Sequence, residues 1–455
     1  MASAIPAALR DEVEQDTGCV IAAERARGGG GASRQGAEVT LRAPSGTERR
    51  CYLAWDARAG EPARLDYFRR EAAILAALSG PLRSAGVKVA GLIGAYPSHL
   101  ALLSQFVAGN DRFAQAGDKA GLAREFVEQL AALHSLDARL PEFAVLGDAN
   151  EAPAQRIRAN LANWTRQNLA SGPDPILQLA LLWLSRNIPQ DIGPAAVLHG
   201  DAGPGNFIFA DDRIAALVDW ELTHLGDPAE DLAQIWVRSL IQPFVPIRDI
   251  FASYEAATGR IVDVARVKFH RLYFQLSFSV SSAALASAPG SRLGASGTAL
   301  MFGTMHRRVM VRALAELAGI ALADPILPEC DADWTDRTFA AALDDLKSSI
   351  VPLATDQLTA AQAKDLARLV KFWRRRASHG KDFDATELDE IKAVMRTAPD
   401  DLAGARAALA EAIAADAIDF AGALQLCHNR MVRETFVMAE AMGALATTWY
   451  DEAVD

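Results

Sequence analysis

The chain has 455 residues, 51% hydrophobic and 23% charged, so it can bury more than one core. Its 46 basic and 57 acidic side chains give a net charge of -11, which disfavours general nucleic-acid binding and an anionic membrane surface. Scattered cysteines, no signal peptide and no apolar run of about 18 residues predict a cytoplasmic protein without disulfide framework, zinc cluster or membrane span.

The first hundred residues predict a small mixed α/β region. Apolar and polar residues alternate on both sides of the turn Pro44-Ser45-Gly46, which predicts a hairpin. A helix is expected next, ended by Gly80 and Pro81. The predicted elements are strands 37–43 and 47–55, helix 63–79, and strands around 91–95 and 100–107.

After Gly109 the pattern becomes helical. Steps of four, four and three separate the apolar residues of one predicted helix face, Leu122, Phe126, Leu130 and Leu133. Further helices are expected over 155–189, 228–240, 265–288 and 298–320. An acidic, proline-containing linker over 324–336 precedes helices that continue to the end of the chain.

The segment 197–233 carries the pattern most typical of chemistry. Asp201 lies in a loop after a short apolar run, Asn206 stands just before a predicted hairpin over 207–218, and Asp219 stands just after it. Closing the hairpin brings an amide and a carboxylate within reach of one ion, and such oxygen donors suit Mg²⁺. Asp201 is then placed to accept a proton from an attacking hydroxyl group, which is the arrangement that phosphoryl transfer needs.

These residues resemble the aminoglycoside phosphotransferase/choline kinase-like superfamily, which has a protein-kinase-like fold. The resemblance rests on His199-Gly200-Asp201 with Asn206, on Asp219-Trp220-Glu221 and on Gly226-Asp227-Pro228. It extends upstream to a nucleotide loop and a helix C and covers roughly 20–322. The variant DWELTHLGDPAEDLA is similar to the branch found as kinase domains of acyl-CoA dehydrogenase fusion proteins, which implies a hydroxyl of a hydroxyacyl-CoA as acceptor.

The resemblance also implies a role for each matching residue. Asp201 would be the catalytic base, and Asn206 and Asp219 would bind Mg²⁺. His199 would be a structural residue of the loop. The implied ATP-binding set comprises Gly30, Gly31, Ala32, Ser33, Arg34, Glu71, Gln105 and Val107, with main-chain groups near the last two holding adenine.

One position departs from the family pattern. Glu71 falls on the apolar face of helix 63–79, where a carboxylate is costly unless it is paired, although a residue at the edge of that face would reach solvent. In kinase-like folds the partner is a cation on the preceding strand, but Ala54 or Trp55 stands there. A shifted register, a different cation (Arg50 or Arg34) and weak ATP turnover all remain open.

We therefore expect an α+β, protein-kinase-like two-lobed fold with an all-α C-terminal appendage. The predicted domains are a mixed β-sheet N-lobe over 1–107, a helical C-lobe with the catalytic loop and metal site over 108–328, and an all-helical domain over 329–455. The last domain has three open roles: a lid over the acceptor pocket, homodimer formation, or binding of another partner.

The expected function is ATP-dependent transfer of the γ-phosphate to a hydroxyl of a small molecule, with a hydroxy acid or hydroxyacyl-CoA as a candidate acceptor. The partners are then ATP and the acceptor, without nucleic acid or membrane. Two alternatives stay open. The missing strand cation and the helical appendage suit a pseudokinase scaffold, and the acidic balance permits an aminoglycoside or macrolide phosphotransferase.

Overall fold

A computed structural model of the chain describes residues 5–26, 34–56, 62–170, 172–287, 296–329, 334–354, 357–395 and 397–451. The chain forms two compact units. Unit 1 comprises 1–153, 191–267 and 451–455, and unit 2 comprises 154–190 and 268–450. These units do not share the boundaries expected after 107 and 328, and the three-domain division stays a prediction.

Unit 1 begins with a helix and a five-stranded antiparallel sheet of strand order β1-β2-β3-β5-β4. The elements are α1 (Ala7–Thr17), β1 (Val20–Ala26), β2 (Gln35–Arg42), β3 (Glu48–Trp55), β4 (Leu92–Tyr96) and β5 (Ala101–Gln105). Alternation sends Val39, Cys51 and Leu103 to one face, where they are fully buried together with Leu9 and Val13 of α1. This face is the core of the sheet region.

Helix α2 (Pro62–Ser79) lies between β3 and β4 in the chain and contacts the turn at 220–222. Phe68, Leu75 and Leu78 are buried on its apolar face. Glu71 is buried on the same helix, with 7% of its surface exposed. The helix therefore carries a buried carboxylate toward the part of unit 1 that holds the 220–222 turn.

The remaining elements of unit 1 position the loop segment 199–206. They are α3 (Lys119–His134), β6 (Ala196–Leu198), β7 (Phe207–Ala210), β8 (Arg213–Leu217), β9 (His224–Gly226), α6 (Ala229–Ser239) and α7 (Ile247–Thr258). β7 pairs with β8 as an antiparallel hairpin, and β6 pairs with β9. The side chain of Asp118 caps α3 by accepting from the Gly121 amide at 2.8 Å, and the apolar face of α3 is buried.

Unit 2 is helical in its described part. Its helices are α4 (Pro153–Ala170), α5 (Pro175–Arg186), α8 (Val264–Ser287), α9 (Gly297–Ala318), α10 (Trp334–Asp345), α11 (Val351–Leu353), α12 (Gln357–Val394), α13 (Leu402–Ala414) and α14 (Phe420–Met442), of which α4 and α8 start in unit 1. α14 packs against α9 and α12, and α13 packs against α5. Residues beyond 330 thus share a core with helices from the middle of the chain.

The expected fold class, a β-sheet region followed by a helical remainder with extra C-terminal helices, is confirmed. The hairpins and helix 63–79 occur close to their predicted bounds. Helix α1, strand β1 and helix α7 were not predicted, and α10 begins inside the predicted linker, at Trp334. Among the described helices, none is long and apolar enough to cross a membrane.

Candidate active site

One buried carboxylate fastens the start of the loop that follows β6. Asp231, in the first turn of α6, is fully buried and accepts from the backbone amides of His199 at 2.8 Å and Gly200 at 3.0 Å. The His134 ring approaches the same carboxylate at 2.9 Å. Burial opposes the charge on Asp231, but these contacts outweigh it and lower its pKa. Asp231 therefore fixes the loop backbone.

The ring of His199 joins this loop to the hairpin. Its Nε2 lies 3.0 Å from the carbonyl oxygen of Val218, and its Nδ1 lies 3.3 Å from the amide of Asp201. Burial lowers the pKa of His199 and favours the neutral ring. A neutral ring protonated at Nε2 satisfies both contacts, because it donates to Val218 and accepts from Asp201. These contacts support the loop and leave the proton chemistry to other residues.

Asp201 and Asn206 are in direct contact. The side-chain amide of Asn206 donates to Asp201 Oδ2 at 2.7 Å and to the Asp201 carbonyl oxygen at 2.6 Å. Because the amide nitrogen faces Asp201, a metal ion would bind Asn206 through its side-chain oxygen Oδ1. The spacing of five residues thus produces a closed turn that places both functional groups together.

Arg238 is a site residue that the sequence reasoning missed. Its Nη1 lies 2.6 Å from both carboxylate oxygens of Asp201, and its Nη2 donates to the Pro204 carbonyl at 3.1 Å and to Asn206 Oδ1 at 3.2 Å. Arg238 stands seven residues after Asp231, so both lie on nearly the same face of α6. The spacing of seven residues was the sequence signal that could have found Arg238. A helix face that holds the start of a loop through Asp231 can contact the same loop again through a residue two helical turns further along.

Asp219 lies one residue beyond the paired end of the hairpin. The amide of Val218 donates to the carbonyl oxygen of Asn206 at 3.0 Å, which fixes the two chain segments side by side. Asp219 has a φ of 67°, in the left-handed region that few residues other than glycine, asparagine and aspartate adopt. The hairpin therefore ends with its carboxylate in a sharply turned backbone, as often occurs at functional sites.

Charges around Asp219 suit a bound cation. Burial is the largest cause that raises the pKa of Asp219 to about 7. Nearby carboxylates add to the rise and one guanidinium opposes it; these neighbours are Glu221, Asp201, Glu71 and Arg34. A carboxylate crowded by like charges is stabilised by a cation, and the donors present, carboxylate and amide oxygens, are those that Mg²⁺ prefers. The residues therefore fit Mg²⁺.

This donor set is small. Within the described residues, no group of three or more His, Cys, Asp or Glu side chains is arranged to hold a metal ion. A site of one amide and one carboxylate agrees with Mg²⁺, which takes few protein ligands and keeps positions for phosphate oxygens and water. The assignment of Asn206 and Asp219 as ligands remains a prediction.

The structure pairs Glu71 with Arg34. An Arg34 Nη atom contacts a Glu71 carboxylate oxygen, and Arg34 Nη2 lies 3.8 Å from Glu221 Oε2. β2 pairs with β3 so that Gln35 is opposite Trp55, which puts Arg34 next to the end of β3 where the cation was expected. Burial raises the pKa of Glu71, and Arg34 opposes that rise.

The other candidate cation is engaged elsewhere. Arg50 donates to Glu38 at 2.9 Å, and its guanidinium lies 4.1 Å from the centre of the Phe106 ring. Of the two cations weighed for the position, Arg34 is therefore the one that meets Glu71. The sequence could not choose between them, because the choice depends on the register of β2 against β3.

The remaining predicted nucleotide contacts are partly outside the described residues, which exclude Gly30, Gly31, Ala32 and Ser33. Gln105 ends β5, and its backbone amide donates to the Gly91 carbonyl oxygen at 2.8 Å. The backbone amide of the next residue, Phe106, donates to the Arg50 carbonyl oxygen at 3.3 Å. Val107 follows in the segment that leads out of the sheet. An adenine-binding role for Gln105 and Val107 remains a prediction.

An antiparallel sheet with a helix that carries a buried glutamate, followed by a catalytic-type loop and a hairpin that ends in an aspartate, defines a kinase-like phosphotransferase. The chain belongs to the phosphotransferase enzyme family known as APH, whose family model matches residues 30–267.

Curated relatives match over a limited part of the chain. Acyl-CoA dehydrogenase family member 11 of Rattus norvegicus is 32% identical over 133 residues, which are 27% of this chain and 16% of that protein. The protein of the same name from Gallus gallus is 36% identical over 111 residues, which are 24% of this chain and 14% of the relative. The matches thus span less than a fifth of these relatives.

A solved structure shares the fold. A proposed aminoglycoside phosphotransferase of Ralstonia eutropha JMP134 aligns with a TM-score of 0.53 and 20% identity. The alignment covers 69% of this chain and 97% of that protein. At this identity the likeness concerns the fold alone.

Proposed function

We propose that the protein transfers the γ-phosphate of ATP to a hydroxyl group of a hydroxy acid or hydroxyacyl-CoA. The observation that carries the phosphotransferase part is the contact of Asp201 with Asn206 at 2.7 Å, at the entrance of the hairpin that ends in Asp219. Support for the acceptor class comes from the curated relatives, which are named acyl-CoA dehydrogenase family members.

Asp201 is the base in this proposal. Its carboxylate accepts the proton of the attacking hydroxyl, while Asn206 and Arg238 hold both of its oxygens in one orientation. Asn206 and Asp219 would hold Mg²⁺, which supplies positive charge to the phosphate oxygens when bound. Positioning and charge stabilisation then account for most of the rate, since phosphoryl transfer needs little covalent chemistry from the protein.

The ATP-binding part includes Arg34 and Glu71. In this proposal Arg34 contacts the phosphates of ATP, and Glu71 keeps its guanidinium in place. The same pair argues against the pseudokinase alternative, because the cation that appeared to be missing from β3 is present beside it. An antibiotic phosphotransferase would use the same fold, so the acceptor must be found by experiment.

The proposal is tested by offering Mg-ATP with hydroxyacyl-CoAs, free hydroxy acids, kanamycin and erythromycin, and by searching the products by mass spectrometry for one added phosphoryl group. We expect phosphorylation of a hydroxyacyl compound. Asp201→Asn should abolish it, because the amide cannot accept the proton. Asp211→Asn is the matched control, since Asp211 is an exposed aspartate at the tip of the same hairpin and asparagine tolerates its φ of 50°.

Three results would contradict parts of this proposal. Phosphorylation of an antibiotic alone would reject the acceptor class. Turnover of Asp201→Asn at the wild-type rate would reject the base. No transfer to any acceptor, together with no thermal stabilisation by Mg-ATP, would favour the pseudokinase.

A further inference from the structure

Unit 2 contains a cavity of about 620 Å³, a size typical of small-molecule binding sites. Helices α8, α9, α12, α13 and α14 supply its lining. Its apolar wall consists of aromatic and aliphatic side chains, among them Phe278, Phe302, Phe372, Phe383, Val437 and Met438. All lining residues lie beyond residue 267, where the family model ends, so the lining includes none of the predicted phosphotransfer residues.

A glycine of α9 borders open space in this cavity. Gly303 lies inside α9 and lines the cavity, and a Cβ atom built there would meet no atom of the described residues within 4 Å. Glycine inside a helix is less favourable than alanine, because its backbone loses more conformational freedom on folding. Packing between the described helices does not require this cost, because there is room for a side chain. A larger side chain at this position would therefore extend into the cavity.

Arginines also line the cavity, and we call them the arginine wall. Five of them line the cavity together with three carboxylates; the arginines are Arg307, Arg376, Arg406, Arg430 and Arg433. Arg430 and Arg433 are each 6% exposed, so their charges are largely removed from bulk water. A buried guanidinium needs charged or polar partners, and it binds carboxylate and phosphate groups well because its donors are planar and fixed.

Carboxylates hold these guanidinium groups in place. Arg406 contacts both oxygens of Glu387, at 2.7 and 2.6 Å, and Arg430 contacts Glu434 at 2.7 Å and Asp174 at 3.3 Å. Asp174 is absent from the cavity lining, so it holds Arg430 from outside the cavity. The arginine wall is thus ordered before any ligand arrives, which lowers the entropic cost of binding.

We propose that this cavity binds an amphipathic anion, with an apolar chain against the aromatic wall and a carboxylate or phosphate head group against the arginine wall. The proposal is independent of the proposed phosphotransfer, because it rests on the lining of unit 2 alone. A neutral head group would gain no charge-assisted contact with the arginine wall, and a small polar anion would leave the aromatic side chains in contact with water.

The test is calorimetric titration of the full-length protein with decanoate, decyl phosphate and decanol. We expect decanoate or decyl phosphate to bind at least about tenfold more tightly than decanol, the magnitude of one charge-assisted contact. The stronger of the two anions identifies the head group. Equal binding of decanol, or no binding of either anion, would overturn the proposal.

Variants at Gly303 show whether the ligand occupies the cavity. Gly303→Leu fills the space, so anion binding should fall at least about tenfold while the melting temperature stays at or above that of the wild type. Gly303→Ala is the matched control: it removes the helix cost with one methyl group and should retain binding. Wild-type affinity in a folded Gly303→Leu protein would overturn the proposal.

A second variant tests the arginine wall. Arg376 lines the cavity and its side chain is 43% exposed beside Asp384, so its replacement leaves the buried network intact. Arg376→Gln should weaken anion binding severalfold and leave decanol binding unchanged. An equal loss for both ligands would contradict an anion-specific wall.

Discussion

At the scale of single residues, the orientation of Asp201 depends on Arg238. Both oxygens of Asp201 lie 2.6 Å from Arg238 Nη1, and the same guanidinium reaches Asn206 Oδ1 at 3.2 Å. A bidentate guanidinium in this place fixes the direction of the Asp201 carboxylate. Arg238 is therefore a positioning residue, which acts on the acceptor through Asp201.

Replacement of Arg238 should separate kcat from KM. In Arg238→Gln the Asp201 carboxylate loses its charged partner, so we expect kcat to fall at least about tenfold while KM for ATP changes little. Arg238→Lys keeps one positive charge and should recover part of kcat. Steady-state kinetics of both variants measure kcat and KM for ATP. A proportional rise in KM for ATP without a change in kcat would show that Arg238 binds nucleotide instead.

Arg34 is expected to act on ATP binding. Arg34→Gln removes the guanidinium that meets Glu71, so affinity for ATP should fall about tenfold or more, as for a lost charge-assisted contact. The control is Arg50→Gln, which removes an exposed arginine from the neighbouring strand and should leave ATP binding unchanged. Competitive displacement of a fluorescent ATP analogue measures both. Similar affinities in the two variants would contradict a phosphate-binding role for Arg34.

At the scale of elements, helix α6 is the platform of the candidate active site. Three of its side chains, spaced by three and four residues, contact the loop 199–206: Asp231, Gln234 and Arg238. Asp231 holds its start, the Gln234 side chain accepts from the Ala202 amide at 2.9 Å, and Arg238 holds Asp201 itself. One rigid helix thus sets the positions of the loop backbone and of the base.

Loss of the Asp231 charge should destabilise this platform. Asp231→Asn keeps the shape but weakens two backbone contacts and the contact with His134, so we expect the free energy of unfolding to fall by about 2 kcal/mol at neutral pH. The control is Asp249→Asn on α7, where the side chain is 59% exposed. Urea denaturation followed by circular dichroism measures both.

The contacts of Asp231 also predict that the stability of the protein depends on pH. Contacts lower the pKa of Asp231 in the folded protein below its unfolded value of 3.8. Its stabilising effect is therefore complete above that value and is lost as the pH falls through the folded pKa. The stability difference between wild type and Asp231→Asn should shrink below about pH 4. A difference that stays constant down to pH 3 would contradict the charged contacts.

Much of this architecture was predictable because local patterns decide it. Alternation predicted β2 and β3, and the spacing of Asp201, Asn206 and Asp219 predicted their arrangement around one hairpin. Arg34 and Arg238 were harder. The first depends on strand register and the second on how α6 faces a distant loop, and both are tertiary properties. Helix α1 has an amphipathic pattern too short to be distinctive, although its Leu9 and Val13 complete the sheet core.

At the scale of the whole molecule, the residues of the two proposed activities lie in different units. Every described residue of the predicted phosphotransfer set lies in unit 1, and the cavity with its arginine wall lies in unit 2. The proposed phosphotransfer therefore involves residues of unit 1 and the proposed anion binding involves residues of unit 2, so either activity can be absent while the other is present.

Removal of Mg²⁺ with a chelator should abolish phosphotransfer and leave decanoate binding unchanged.

The most direct test of the account is calorimetric titration of Mg-ATP into three proteins: wild type, Asp219→Asn and Asp201→Asn. If Asp219 binds the metal while Asp201 serves as base, Asp219→Asn should lose at least about tenfold in affinity, which is about 1.4 kcal/mol, and Asp201→Asn should bind Mg-ATP like the wild type. Wild-type affinity in Asp219→Asn would contradict the metal site, on which the proposed function rests.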